Sequence, residues 1–254
     1  MPAVELGRLQ REAADLSEKL ADPPAYIRSL ERILETYASR VHKTGVLRGA
    51  RPILFSYETS PIVLKQLLRE LEMLARQDPD RGLLIADALW ARRTIETRQL
   101  AIRLLGETPA SKPGDLTRRL ESWVAENRED FLASELWEQG TLTLCRQFPQ
   151  ELIRFAGNMT RSPDHRKQIF GFGALRVLLQ NNPQPHLPAI FFTLANFREE
   201  PLRKLRPYIA DLLSTLAKHS PKETAFFIQE KLKNSPSEGM RWITRQAMKR
   251  LADD

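Results

Sequence analysis

Apolar residues recur at intervals of three and four along most of the chain. Ile27, Leu30, Ile33, Leu34 and Tyr37 share one face of a segment running from about 25 to 40. Leu64, Leu67, Leu68, Leu71 and Leu74 do the same after Ser60-Pro61, a pair that reads as a helix start. Asp78-Pro79 opens a further helix through Trp90, and Thr94 caps one that ends at Gly106. The pattern also predicts helices over about 4–21, 115–126, 128–138, 140–147, 149–160, 163–180, 185–196, 199–218, 221–233 and 237–251. Few runs alternate with a period of two, so strands are not expected. The segment 42–59, HKTGVLRGARPILFSYET, is the least regular and reads as a loop or short helix. It would join an N-terminal helical cap, 1–59, to the rest of the chain, 60–254.

One junction repeats. LAKHSP at 216–221 ends one helix and begins the next, with Ser220 as N-cap, Pro221 at the first helical position and Glu223 reaching back. Leucine stands five residues before proline again at Leu74–Pro79, Leu104–Pro109, Leu144–Pro149 and Leu178–Pro183. The prolines are 30, 40, 34 and 38 residues apart. A period of about 35 with a helix boundary at each mark is the signature of stacked helical repeats. The expected fold is all-α, an α-solenoid of helical repeats that continues unbroken from 60 to 254. ETPASKPGD, 107–115, is the most linker-like stretch and suits a long inter-repeat loop as well as a domain boundary.

Composition agrees with that fold. Of 254 residues 42% are hydrophobic, enough for a continuous core, and only 11 are glycine. The single cysteine, Cys145 in LTLCRQF, excludes a disulfide framework and reads as a small core residue. No apolar run approaches the roughly 20 residues a membrane span needs. The start, MPAVELGRLQREAADL, reads as a charged amphipathic helix rather than a signal peptide. A cytoplasmic, nucleoid-associated monomer with no membrane partner is the expectation.

Charge changes the picture more. The net charge is +7, and the excess is regional. Between 161 and 222 stand ten basic residues, namely Arg161, Arg166, Lys167, Arg176, Arg198, Arg203, Lys204, Arg206, Lys218 and Lys222, against four acids. In the last helix Ile243, Ala247 and Leu251 form one stripe and Arg241, Arg245 and Lys249 another. A shift of two residues is about 200° around the axis, so the cationic stripe opposes the apolar one. A single basic face is ordinary solvated surface. Stacked repeats align such faces, and an aligned set makes a concave basic groove suited to nucleic acid. The four tryptophans, 90, 123, 137 and 242, read as core beside leucines, with base stacking as the alternative.

Motifs for other chemistry are absent. The chain has no G-x-G-x-x-G, P-loop or G-x-S-x-G. His42, His165, His186 and His219 are scattered without metal-ligand spacing, so no metal and no cofactor are expected.

SPIVLKQLLRELEMLARQDPDRGLLIADALWARRTIETRQLAIRLLG, 60–106, resembles the start of the core of the DNA alkylation repair family, the AlkD-like HEAT-repeat proteins. RKLRPYIADLLSTLAKHSPKETAFFIQEKL and TRQAMKRL are similar to that family's last repeats, and the likeness covers about 60–251. The resemblance implies a superhelix gripping duplex DNA in a basic concave groove. Some members excise N3- or N7-alkylated purines, and others bind DNA without that activity.

The glycosylase members carry a Trp-x-x-x-Asp pair, an Arg opening the next long helix, and a Trp in the penultimate repeat. Here the first place holds Asp130-Phe131-Leu132-Ala133-Ser134, the second falls on Lys167, Gln168 or a neighbour, and the third holds Asp211. The expectation is therefore duplex or branched DNA gripped through phosphates by Arg161, Arg166, Lys167, Arg203, Lys204, Arg206, Arg241, Arg245 and Lys249, without the usual glycosylase site. One alternative is an active alkylpurine glycosylase with Asp130, Glu135 or Asp211 supplying the carboxylate. The other is a protein-binding scaffold, which requires exposed apolar anchors.

Overall fold

Proline ends one helix and begins another, and that local chemistry organises the chain. The computed structural model describes residues 5–17, 19, 22–38, 53–181, 186–195, 202–234 and 237–253. In it the backbone N–H groups of Asp78, Thr108, Phe148 and Ser220 donate to the carbonyls of Leu74, Leu104, Leu144 and Leu216 at 2.8, 2.9, 2.9 and 2.8 Å. Each donor precedes a proline, whose ring disfavours the α-conformation there, so the helix stops. The leucine four residues back is buried in all four cases. After Asp78, Phe148 and Ser220, the proline is the first residue of the next helix. Its missing N–H is one that would have no partner in a first turn anyway. Pro109 instead lies in a loop, and the next helix starts at Pro113. Pro183 lies outside the described residues.

The chain is all-α. The helices are α1 (Leu6–Ser17), α2 (Pro23–Thr36), α3 (Pro61–Gln77), α4 (Pro79–Ala91), α5 (Ile95–Glu107), α6 (Pro113–Glu126) and α7 (Asp130–Glu138). There follow α8 (Leu142–Gln147), α9 (Pro149–Thr160), α10 (His165–Asn181), α11 (Leu187–Ala195), α12 (Arg206–His219), α13 (Pro221–Asn234) and α14 (Glu238–Asp253). No strand occurs among the described residues, only an isolated bridge between Phe55 and Thr94. Among those residues, no helix is long and apolar enough to cross a membrane.

Two compact units divide the chain, Met1–Thr143 and Leu144–Asp254. In the first, α1, α3, α5 and α7 pack in succession as one layer, with α2 and α4 in a second. Asp87 and Arg119 join α6 to α4 at 2.8 Å, and the Trp90 and Trp123 rings stack 4.6 Å apart and nearly parallel. In the second unit α10, α12 and α14 form one layer. The other layer is α9, α11 and α13, with Phe191 against Phe227 at 5.7 Å and the Lys231 ammonium on the Ala195 carbonyl at 2.5 Å.

Several partners on different helices are separated by similar stretches of chain. Asp87–Arg119 and Arg103–Glu135 are separated by 32 residues, Trp90–Glu126 and Ala195–Lys231 by 36, and Gly106–Thr143 by 37. These separations bracket the period of about 35 marked by the prolines.

Residues 53–59, expected as a loop or short helix, form a loop tied down by carboxylates; 42–52 lie outside the described residues. Glu129 Oε1 accepts from the N–H groups of Ile53 and Leu54 at 2.5 and 2.8 Å, and Glu96 Oε1 from Ser56 Oγ at 2.8 Å. Of the helix expected over 199–218, residues 199–201 lie outside the described residues and 202–205 are a turn, so α12 begins at Arg206. Pro207 belongs in a first turn, and the Leu205 N–H closes a turn onto the Leu202 carbonyl at 2.8 Å.

Candidate nucleic-acid interface

The second unit holds every residue expected to meet phosphate. The turn before α12 buries Leu205 and leaves Arg203 and Lys204 exposed. Arg206 follows as the first residue of α12, where it is half-buried. Ser237 Oγ accepts from the Met240 N–H at 3.2 Å, capping the start of α14. That helix buries Met240, Ile243 and Ala247 as it packs on α12 and α13. Arg241, Arg245 and Lys249 lie two residues out of phase with that stripe and are exposed, as the pattern required.

α14 and the start of α12 enclose a cleft of about 560 Å³, lined by Arg203, Arg206, Pro207, Glu238 and Trp242. Trp90, Trp123 and Trp137 are buried core, whereas Trp242 is half-buried and faces this cleft. Its place one residue from Ile243, about 100° around the helix, puts it at the edge of the apolar stripe. That offset was the signal in the sequence; reading all four tryptophans alike passed over it.

The remaining expected ligands are less available. Arg166 is bound by Asp164 through two side-chain hydrogen bonds, Nε to Oδ1 at 3.2 Å and Nη2 to Oδ2 at 2.9 Å. This guanidinium is the main reason the Asp164 carboxyl sits below its usual range. Arg161, the C-cap of α9, donates to Asn158 Oδ1 at 2.7 Å but is exposed. Lys167 is half-buried beside Gln168, whose Oε1 is buried without a hydrogen-bond partner.

Asp130 is the exposed first residue of α7, and Glu135 is engaged by Arg103 at 3.3 Å. Asp211 lies half-buried on α12. Among the described residues no group of His, Cys, Asp and Glu could hold a metal ion. Cys145 is buried.

No protein-family model, curated protein or solved structure matches this chain. The likeness to the DNA alkylation repair family therefore rests on the residues quoted for it.

Proposed function

We propose that the chain is a HEAT-like α-solenoid of the AlkD-like kind that binds duplex or branched DNA through phosphate contacts in a basic concave groove. Repeat-spaced packing inside each unit supports the solenoid. The binding reading is carried by one observation: Arg241, Arg245 and Lys249 stand exposed opposite the buried face of α14, the helix that also borders the Arg203–Arg206 cleft. Phosphate contacts of this kind position DNA without reading its sequence.

Charge reversal tests the reading. Arg241→Glu, Arg245→Glu and Lys249→Glu combined are expected to lower the salt dependence of duplex binding by about 3 in log–log slope. Affinity should fall alike for all sequences, with Glu72→Lys as a control that does not weaken it. A triple variant that binds as the parent does across the titration reduces α14 to plain surface.

A second reading has an observation of its own. Phe192 on α11 and Phe226 on α13 are 71% and 67% exposed, anchors of the type a protein-binding scaffold presents. Absence of any DNA binding at low salt would transfer the function to that surface.

A further inference from the structure

The cleft beside α14 combines three chemistries that a plain phosphate track does not need. Glu238 and Trp242 are four residues apart on one helix, so the carboxylate and the indole stand side by side. Arg203 and Arg206 line the same space, which at about 560 Å³ falls within the roughly 300–1,000 Å³ typical of small-ligand sites. An indole face stacks on any base and does not discriminate. A carboxylate does discriminate, because when ionised it only accepts hydrogen bonds.

Guanine presents two adjacent donors, N1–H and N2–H₂, on one edge. Adenine and cytosine each place a ring-nitrogen acceptor beside their amino group, and thymine and uracil flank N3–H with two carbonyls. Each of those four edges sets an acceptor against the carboxylate. We infer that the cleft binds an unpaired guanine nucleotide, with the base on Trp242, its N1–H and N2–H₂ donating to Glu238, and its phosphate on Arg203 and Arg206. In a Watson–Crick pair that edge is occupied, so the ligand is a strand end or a free nucleotide. This goes beyond the phosphate-contact reading, and a free nucleotide tests it without duplex DNA.

Calorimetric titration of the full chain at low salt with guanosine and adenosine 5′-monophosphates makes the comparison. Guanosine monophosphate is expected to bind more tightly by about tenfold or more, the discrimination of one two-bond pairing. Glu238→Gln should remove that preference while changing adenosine monophosphate binding little, and Arg203→Gln should weaken both nucleotides. Both positions are exposed, so folding is checked simply by an unchanged circular dichroism spectrum. Single strands with a 5′-phosphorylated guanosine identify the source: tighter binding than the monophosphate assigns a strand end, equal binding a free nucleotide.

Equal affinity for the two monophosphates, a preference that survives Glu238→Gln, or no binding of either nucleotide overturns the inference. Duplex binding retained without guanosine binding sinks this proposal alone. Guanosine binding without duplex binding sinks the phosphate-track reading and leaves this one standing.

Discussion

A Cβ placed on Gly106 would lie 1.8 Å from the Gln139 carbonyl oxygen, a separation no side chain can occupy. The glycine lets the end of α5 press against the backbone that follows α7, where Thr143 Oγ1 also donates to the Gly106 carbonyl at 2.7 Å. Gly106→Ala is expected to destabilise the protein by about 1–3 kcal/mol or more, since overpacking forces the backbones apart. Gly114 in the first turn of α6 has nothing within 4 Å of that position. Gly114→Ala should be neutral or stabilising by up to about 1 kcal/mol through the unfolded chain. Paired urea melts measure both, and equal effects would contradict the close approach.

Asp164 gives a second prediction at this scale. A carboxylate depressed by Arg166 contributes stability above its unfolded pKa of about 3.9, and loses it as pH falls through the lower folded value. Asp164→Asn should therefore flatten the acid limb of stability below about pH 4. It should also tighten duplex binding by releasing Arg166. The opposed stripes of α14 were readable from helical phase alone. The Arg166–Asp164 pairing was not, because it depends on the turn before α10, where the Asp164 N–H donates to Ser162 Oγ at 3.2 Å.

Among elements, α4 and α6 meet through a few well-defined side-chain contacts. Trp123 stacks on Trp90, whose Nε1–H donates to Glu126 Oε2 at 3.0 Å, and the Arg98 guanidinium lies 4.4 Å from the Trp90 ring. Burial is the main cause that lowers the Arg98 pKa. Trp123→Ala is expected to cost about 3–5 kcal/mol, the range for emptying a buried aromatic site. A loss under about 1 kcal/mol in a chemical melt would show that the stack carries little of the fold.

Most helix boundaries were legible because their signals are local: a pre-proline residue, a capping oxygen, a leucine four residues back. Glu223 shows the limit of that legibility. It does reach back to Ser220, but to the hydroxyl at 2.5 Å, because the Ser220 N–H already closes α12. The start of α12 was missed because Arg203, Lys204, Leu205 and Arg206 are all good helix formers and mask the break. The ties that hold the 53–59 loop were illegible for a different reason. Its partners Glu96 and Glu129 lie as far as 76 residues along the chain.

At the scale of the whole molecule, the period could be read from prolines and reappears as contacts 32 to 37 residues apart. The division of the chain inside α8 had no comparable mark, since L-x-x-x-x-P occurs at Leu144–Pro149 as at the other junctions. Composition indicated a basic surface; which cations stand free of acids needed three-dimensional neighbours. The central claim is that this surface holds DNA by its phosphates, and the salt dependence of duplex affinity tests it most directly. Each neutralised phosphate contributes about 0.9 to the log–log slope, so some six contacts predict about a thousandfold loss between 50 and 200 mM salt. Affinity that stays flat across that range, or no duplex binding at 50 mM salt, would contradict the account.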